Sequence, residues 1–194
     1  MPIPISEMKR ALRSSGLYEE KLREPNDIYK WLDEAQLEIS KYYGNIVEYH
    51  IGEVKEWEGH ELPDDFLYVS EVINGYDKSR YVFYQISDTE PPKIFFDRKG
   101  DYTVHYHRIP DTLPRDNDDA ELEVNKIFRD AIISYCLFKY WQREEQQQGR
   151  TQRGTPKSQE YLDEFYTKLD GCLQALRFRR RKNRSVRTEG PFGI

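Results

Sequence analysis

Tyr161-Leu162-Asp163-Glu164-Phe165-Tyr166-Thr167-Lys168-Leu169-Asp170-Gly171-Cys172-Leu173-Gln174-Ala175-Leu176 is the stretch that decides the fold. Tyr161, Phe165, Leu169, Cys172 and Leu176 recur at steps of three and four, with Leu162 and Leu173 beside them on one apolar stripe. Thr155 suits the cap and Pro156 the first helical position, so the spacing predicts a helix over 156–178. Such a stripe needs a partner. Val124, Ile127, Phe128, Ala131, Ile132, Tyr135, Phe138 and Trp141 describe a long, well-buried helix over 122–146. The polar, glycine-containing connector Gln146 to Ser158 lets the two fold back as an antiparallel hairpin.

Working toward the N-terminus, residues 5–14 read as a short helix stopped by Ser14-Ser15-Gly16. Ile28, Trp31, Leu32, Ala35, Ile39 and Tyr42 make the stripe of a helix over 26–43, closed by Gly44. Segment 44–61 is irregular, with Val47, Tyr49 and Ile51 alternating and Trp57 among charges, and reads as a strand or an ordered excursion. From Phe66 the period becomes two. Leu67, Val69 and Ile73 give one strand face, Asn74-Gly75 a turn, Tyr81 to Ile86 a second run, and Ile94-Phe95-Phe96 a third. Tyr102, Val104 and Tyr106 line a last strand ended by Pro110. Short turns between successive strands predict a small antiparallel meander over 66–109. The expected class is α+β and mostly helical: one domain over 1–176, then an extended basic tail over 177–194.

At 194 residues one domain is the default, and an apolar fraction of 37% against 34% charged residues implies a compact core under a heavily solvated surface. Fifteen tyrosines suit faces that meet other subunits. No apolar run approaches the ~20 residues of a membrane span, and charged Glu7-Met8-Lys9-Arg10 stands where a signal peptide would be apolar. Cys136 and Cys172 each fall within a helical pattern and read as free thiols. A soluble protein made in a cytoplasm, with no membrane partner, is expected.

Charge is segregated. Arg177, Arg179, Arg180, Arg181, Lys182, Arg184 and Arg187 against Glu189 give residues 177–194 a formal charge of +6. With the chain at −5, residues 1–176 carry −11. An acidic body with a cationic arm calls for an acidic surface to receive the arm. Arginine favours forked contacts to carboxylate or phosphate, and Phe178, Val186, Phe192 and Ile194 interleave apolar anchors. The plain alternative is a solvated charge run complementing a helix C-terminus, and a nuclear localisation signal has the same look.

Other chemistry is thin. His105 and His107 share one strand face, a spacing that can hold a transition metal, but no third ligand is marked and a solvent-facing strand edge is the better reading. Asp111, Asp116, Asp118 and Asp119 lack the glycine and terminal glutamate of a calcium loop and read as a solvated acidic loop leading into a helix. There is no phosphate-cradling glycine loop, Gly-x-Ser-x-Gly or spaced Cys/His pair. The expectation is no enzyme, no metal and no cofactor.

The segment order resembles the head–tail connector, or adaptor, proteins of tailed bacteriophages. Leu62-Pro63-Asp64-Asp65-Phe66 with Leu67-Tyr68-Val69 and Asn74-Gly75 looks like the approach to that family's central meander. Tyr102-Thr103-Val104-His105-Tyr106-His107-Arg108-Ile109-Pro110 looks like its last strand, and Asp130-Ala131-Ile132-Ile133-Ser134-Tyr135-Cys136 like its long helix. The final helix with an arginine end is similar too. The resemblance covers roughly 26–182, and every motif in it is degenerate. Segment 44–61 is longer than the minimal pattern and Gln146–Ser158 is an unusual polar insertion. What the resemblance implies is a structural virion protein, assembled in the host cytoplasm, forming a ring, commonly of twelve copies, beneath the portal protein. Such rings extend the channel for genomic DNA and offer a platform to a tail or stopper protein. Arg177, Phe178, Arg179, Arg180, Arg181, Lys182, Arg184, Arg187 and Phe192 would then dock on acidic portal surface. A second reading, from the charge alone, is a small nucleic-acid-binding protein using the basic arm.

Overall fold

Helix α1 (Ile5–Ser14) follows the expected bounds, burying Ile5, Met8, Ala11 and Leu12 at steps of three, three and one. It ends in a Schellman motif: Gly16 sits at φ 89°, its N–H donates to Arg13 O (3.0 Å), and Leu17 N–H donates to Leu12 O (3.0 Å). Only a residue without Cβ holds that conformation cheaply. The structure, a computed structural model, describes residues 2–17, 26–80, 82–115, 117–148 and 155–186, with side chains described as far as Phe178. Their contacts divide into two compact units, residues 1–42 with 112–194, and residues 43–111, where the sequence reading has one domain.

The first unit is helical. Strand β1 (Ile3–Pro4) leads into α1 and later pairs antiparallel with β8 (Glu121–Leu122). Helix α2 (Asp27–Ser40) buries Ile28, Trp31, Leu32, Ala35 and Ile39 of the predicted stripe, and also Gln36, whereas Tyr42 lies beyond the end of the helix and is exposed. Gln36 is satisfied there: its Nε2 donates to Asp33 Oδ1 (3.3 Å) and its Oε1 accepts from Glu123 N–H (3.3 Å). Asp33 in turn accepts from Leu113 N–H (2.8 Å), so α2 clamps the segment that leads toward α3. The loop over 110–119 reads as solvated in the sequence, yet its Leu113 is buried in the core.

Helix α3 (Arg129–Gln148) starts later than the predicted 122. Leu122 belongs to β8, and Asn125 accepts from Ile127 N–H (3.0 Å) to cap a short 3-10 turn, Lys126–Phe128. Apolar spacing alone does not separate these pieces from a helical turn. Helix α4 (Lys157–Val186) packs against α3, and its partners descend along α3 as α4 ascends. Ser158 meets Glu145, Phe165 meets Tyr135, Lys168 meets Ser134, and Cys172 meets Ile127. The predicted antiparallel hairpin is present. Among the described residues no helix is long and apolar enough to cross a membrane.

The second unit is built of strands. Segment 44–61, left open by the sequence, supplies β2 (Ile46–Val54) and β3 (His60–Glu61). With β4 (Phe66–Asn74), β5 (Tyr84–Ile86), β6 (Lys93–Phe96) and β7 (Gly100–Arg108), these make two antiparallel sheets ordered β2-β7-β4 and β3-β6-β5. The pairing is antiparallel as predicted, but the sequential meander is not the order found. β4 does not hairpin onto β5 through Asn74-Gly75; it lies beside β7, with Val72 opposite Val104. Gly75 N–H donates to Asp101 O at 2.6 Å, and a Cβ on Gly75 would lie 3.1 Å from Asp101. The Asn-Gly turn therefore serves a close approach to β7. Ile51, Val72, Ile94, Phe96, Tyr102, Val104 and Tyr106 form this unit's core, with Phe96 and Tyr102 stacked at 3.9 Å.

Candidate functional site

The predicted site lies at the far end of α4, so the hairpin determines its presentation. At the near end Lys157 Nζ sits 4.1 Å from the centre of the Trp141 ring, and Ser158 N–H and Oγ both donate to Glu145 (3.1 and 2.5 Å). The middle is fully packed: Phe165 and Leu169 are buried, and Phe165 meets Tyr135 edge-on at 5.1 Å. Lys168 Nζ donates to Ser134 Oγ (3.0 Å) and pairs with Glu164 (2.8 Å). Burial pushes the Tyr135 hydroxyl and the Cys136 thiol well above their ordinary ranges, and the Cys172 thiol upward too. Both cysteines are free, and protonated thiols in such surroundings are poor nucleophiles.

Length then decides what the far end does. At about 1.5 Å per residue, α4 spans roughly 45 Å and α3 roughly 30 Å. Because Ser158 is already opposite Glu145 and Cys172 opposite Ile127, the whole excess falls at the C-terminal end of α4. Residues 173–186 run past the first turn of α3 for roughly 21 Å.

The expected extended arm begins as helix. Arg177, Phe178, Arg179, Arg180, Arg181, Lys182 and Arg184 continue the backbone of α4, which ends at Val186. Arginine and lysine are good helix formers, and no glycine or proline intervenes until Gly190-Pro191. Cations in a last turn also complement the helix dipole. Arg177 is exposed and Phe178 is 68% exposed, an aromatic ring left in water beside the arginines. The side chains of Arg179, Arg180, Arg181, Lys182 and Arg184, and all of Arg187 and Phe192, lie outside the described residues.

The secondary candidates have structural explanations. His105 and His107 lie on β7, which is the central strand of its sheet and not the predicted edge. The His107 ring stacks on Tyr68 at 4.3 Å and its Nδ1 accepts from Gly44 N–H (3.3 Å), while His105 Nδ1 is 3.8 Å from Glu48. Among the described residues no group of three His, Cys, Asp or Glu side chains could hold a metal. Asp118 accepts from Lys9 Nζ and Tyr29 Oη, each at 2.6 Å, and these donors hold its carboxyl below the usual range. Asp111 pairs with Arg108 at 3.3 Å.

The sequence reading missed one feature of the helical unit. Glu7 and Arg10 from α1, Lys126 and Arg129 at the approach to α3, Asp130, and Lys168 from α4 line a polar cleft of about 730 Å³. These residues come from three distant segments, so no linear motif announces them; only the apolar stripes that bring α1, α3 and α4 together do so indirectly. No known protein-family model matches this chain, and no curated protein matches it.

Proposed function

We propose that this chain is a head–tail connector protein of a tailed bacteriophage: a structural virion protein of the neck that docks beneath a portal protein, extends the DNA channel and provides the platform for a tail or stopper protein. One observation carries the reading. Helix α4 outruns its packing partner only at its cationic end, so a projecting helix carries the charge that an acidic receiving surface would match. The resemblance in segment order supports it, as does the −11 body, because like charge around a conduit discourages a DNA duplex from adhering. Exposed Phe178 suits an anchor role, since interface energy concentrates in aromatic and arginine side chains. In this reading copies of the chain form a ring and no cofactor takes part.

Labelled antibody against the chain, imaged by electron microscopy on purified virions, tests the location. Label at the neck supports the reading, and virions without label contradict it. The competing reading, a nucleic-acid-binding protein using the basic arm, predicts sub-micromolar duplex DNA binding at physiological salt. The connector predicts weak binding confined to low salt.

A further inference from the structure

The polar cleft of the helical unit carries more cation than its own acids neutralise. Arg10, Lys126, Arg129 and Lys168 face Glu7 and Asp130, and Lys168 also pairs with Glu164 (2.8 Å), which leaves one cation in excess. Glu7 serves Lys126 (3.0 Å) and Arg129 (3.3 Å), and Asp130 also contacts Arg129 (3.2 Å). The Arg129 Nε is buried and, although near Glu7, makes no hydrogen bond. The Arg10 guanidinium has no hydrogen-bond or ion-pair partner among the described residues, while Ser14 Oγ is turned back onto the Arg10 carbonyl (3.1 Å). A buried Nε whose one carboxylate neighbour, Glu7 at 3.3 Å, lies outside hydrogen-bond geometry, and a guanidinium beside it that makes no hydrogen bond, are two signs of room for a further oxyanion.

We propose that this cleft binds a carboxylate-bearing peptide segment of a partner protein. The volume lies within the ~300–1,000 Å³ of ligand clefts, enough for a short segment. The cleft's own carboxylates decide the class. Glu7 and Asp130 alternate with the cations, and a polyphosphate or nucleic-acid backbone, with dense continuous charge, would be forced against them. A peptide bearing one or two separated carboxylates can place them at Arg10 and Arg129 and clear both acids. The planar fork of arginine fits a carboxylate in two parallel hydrogen bonds. This site is distinct from the end of α4 and does not rest on the connector reading.

The test is a titration of the full chain with an acetylated, amidated Gly-Glu-Gly-Gly-Glu-Gly peptide, followed by backbone amide NMR. Shifts are expected over 6–15 and 126–133, with Arg10→Glu weakening the affinity at those signals at least about tenfold, as loss of one charge-assisted hydrogen bond does. Arg10→Gln gives a smaller loss and serves if the charge reversal perturbs folding. Shifts confined to α4 beyond Leu176, or an affinity indifferent to both variants, would overturn the site. Tighter binding of inorganic tripolyphosphate at the same amides would overturn the peptide assignment.

Discussion

Cys172 Sγ lies 3.0 Å from the carbonyl oxygen of Ile127, on the turn that leads into α3. This contact marks where α4 passes the end of its partner. Everything N-terminal to it on α4 belongs to the packed hairpin, and the cationic segment lies beyond it. The packed part of the helix and, in the connector reading, its docking part are thus separate and can be altered separately.

Phe165→Ala removes a fully buried ring at the centre of the hairpin. Core truncations of this kind cost about 3–5 kcal/mol, so urea unfolding should give an unfolding free energy lowered by that amount and a correspondingly lower midpoint. Phe178→Ala, on an exposed ring, should leave the unfolding free energy within about 0.5 kcal/mol of the parent. Equal effects of the two would contradict the division.

Arg180→Pro keeps most of the charge and breaks the helix. An interior proline costs about 3 kcal/mol, so far-ultraviolet circular dichroism should report lost helix with the thermal midpoint of the body unchanged. In the connector reading portal affinity falls as well, because the arm docks as a rigid helix. Full affinity with a broken helix would mean that charge alone suffices.

Asp118→Ala should destabilise by about 1–2 kcal/mol, since Lys9 and Tyr29 lose their shared acceptor. The Asp118 carboxyl is held low by those two donors. Its folded pKa lies below its unfolded value, so its contribution is present above pH ~4 and is lost as pH falls through the folded value. Acid unfolding curves of parent and variant should therefore converge at low pH. A constant gap between them down to pH 2 would rule out this ion pair as the cause.

Alkaline stability should fall for the opposite reason. Burial, aided by the hydrogen bond to Asp65 (2.8 Å), pushes the Tyr106 hydroxyl up to about 12, and burial raises Tyr135 and Cys136 as well. The folded pKa values exceed the unfolded ones, so stability is intact below the unfolded values and declines as pH rises through ~8.5 for the thiol and ~10 for the phenols. Tyr106→Phe should flatten the upper part of that decline in a pH series of unfolding curves. A profile unchanged by the substitution would show that Tyr106 does not titrate with unfolding.

The helices were legible in the sequence because each carries a one-sided stripe, and Ile5–Ser14 and the α3–α4 pair follow from it directly. Strand order was not. Alternation marks a strand but not its neighbour, and Asn74-Gly75 names a hairpin while the fold uses it for close approach to Asp101. The end of α4 was read as extended because its apolar stripe stops at Leu176, yet arginine and lysine sustain a helix without one. The cleft cations escaped notice because Arg10, Lys126, Arg129 and Lys168 meet only in three dimensions.

The most direct test of the central claim is attachment of the chain to purified portal assemblies, read by co-sedimentation with and without residues 177–194. The account predicts that the full chain sediments with the portal, that attachment weakens with rising salt, and that the shortened chain stays folded but remains in the supernatant. Undiminished attachment of the shortened chain would contradict it.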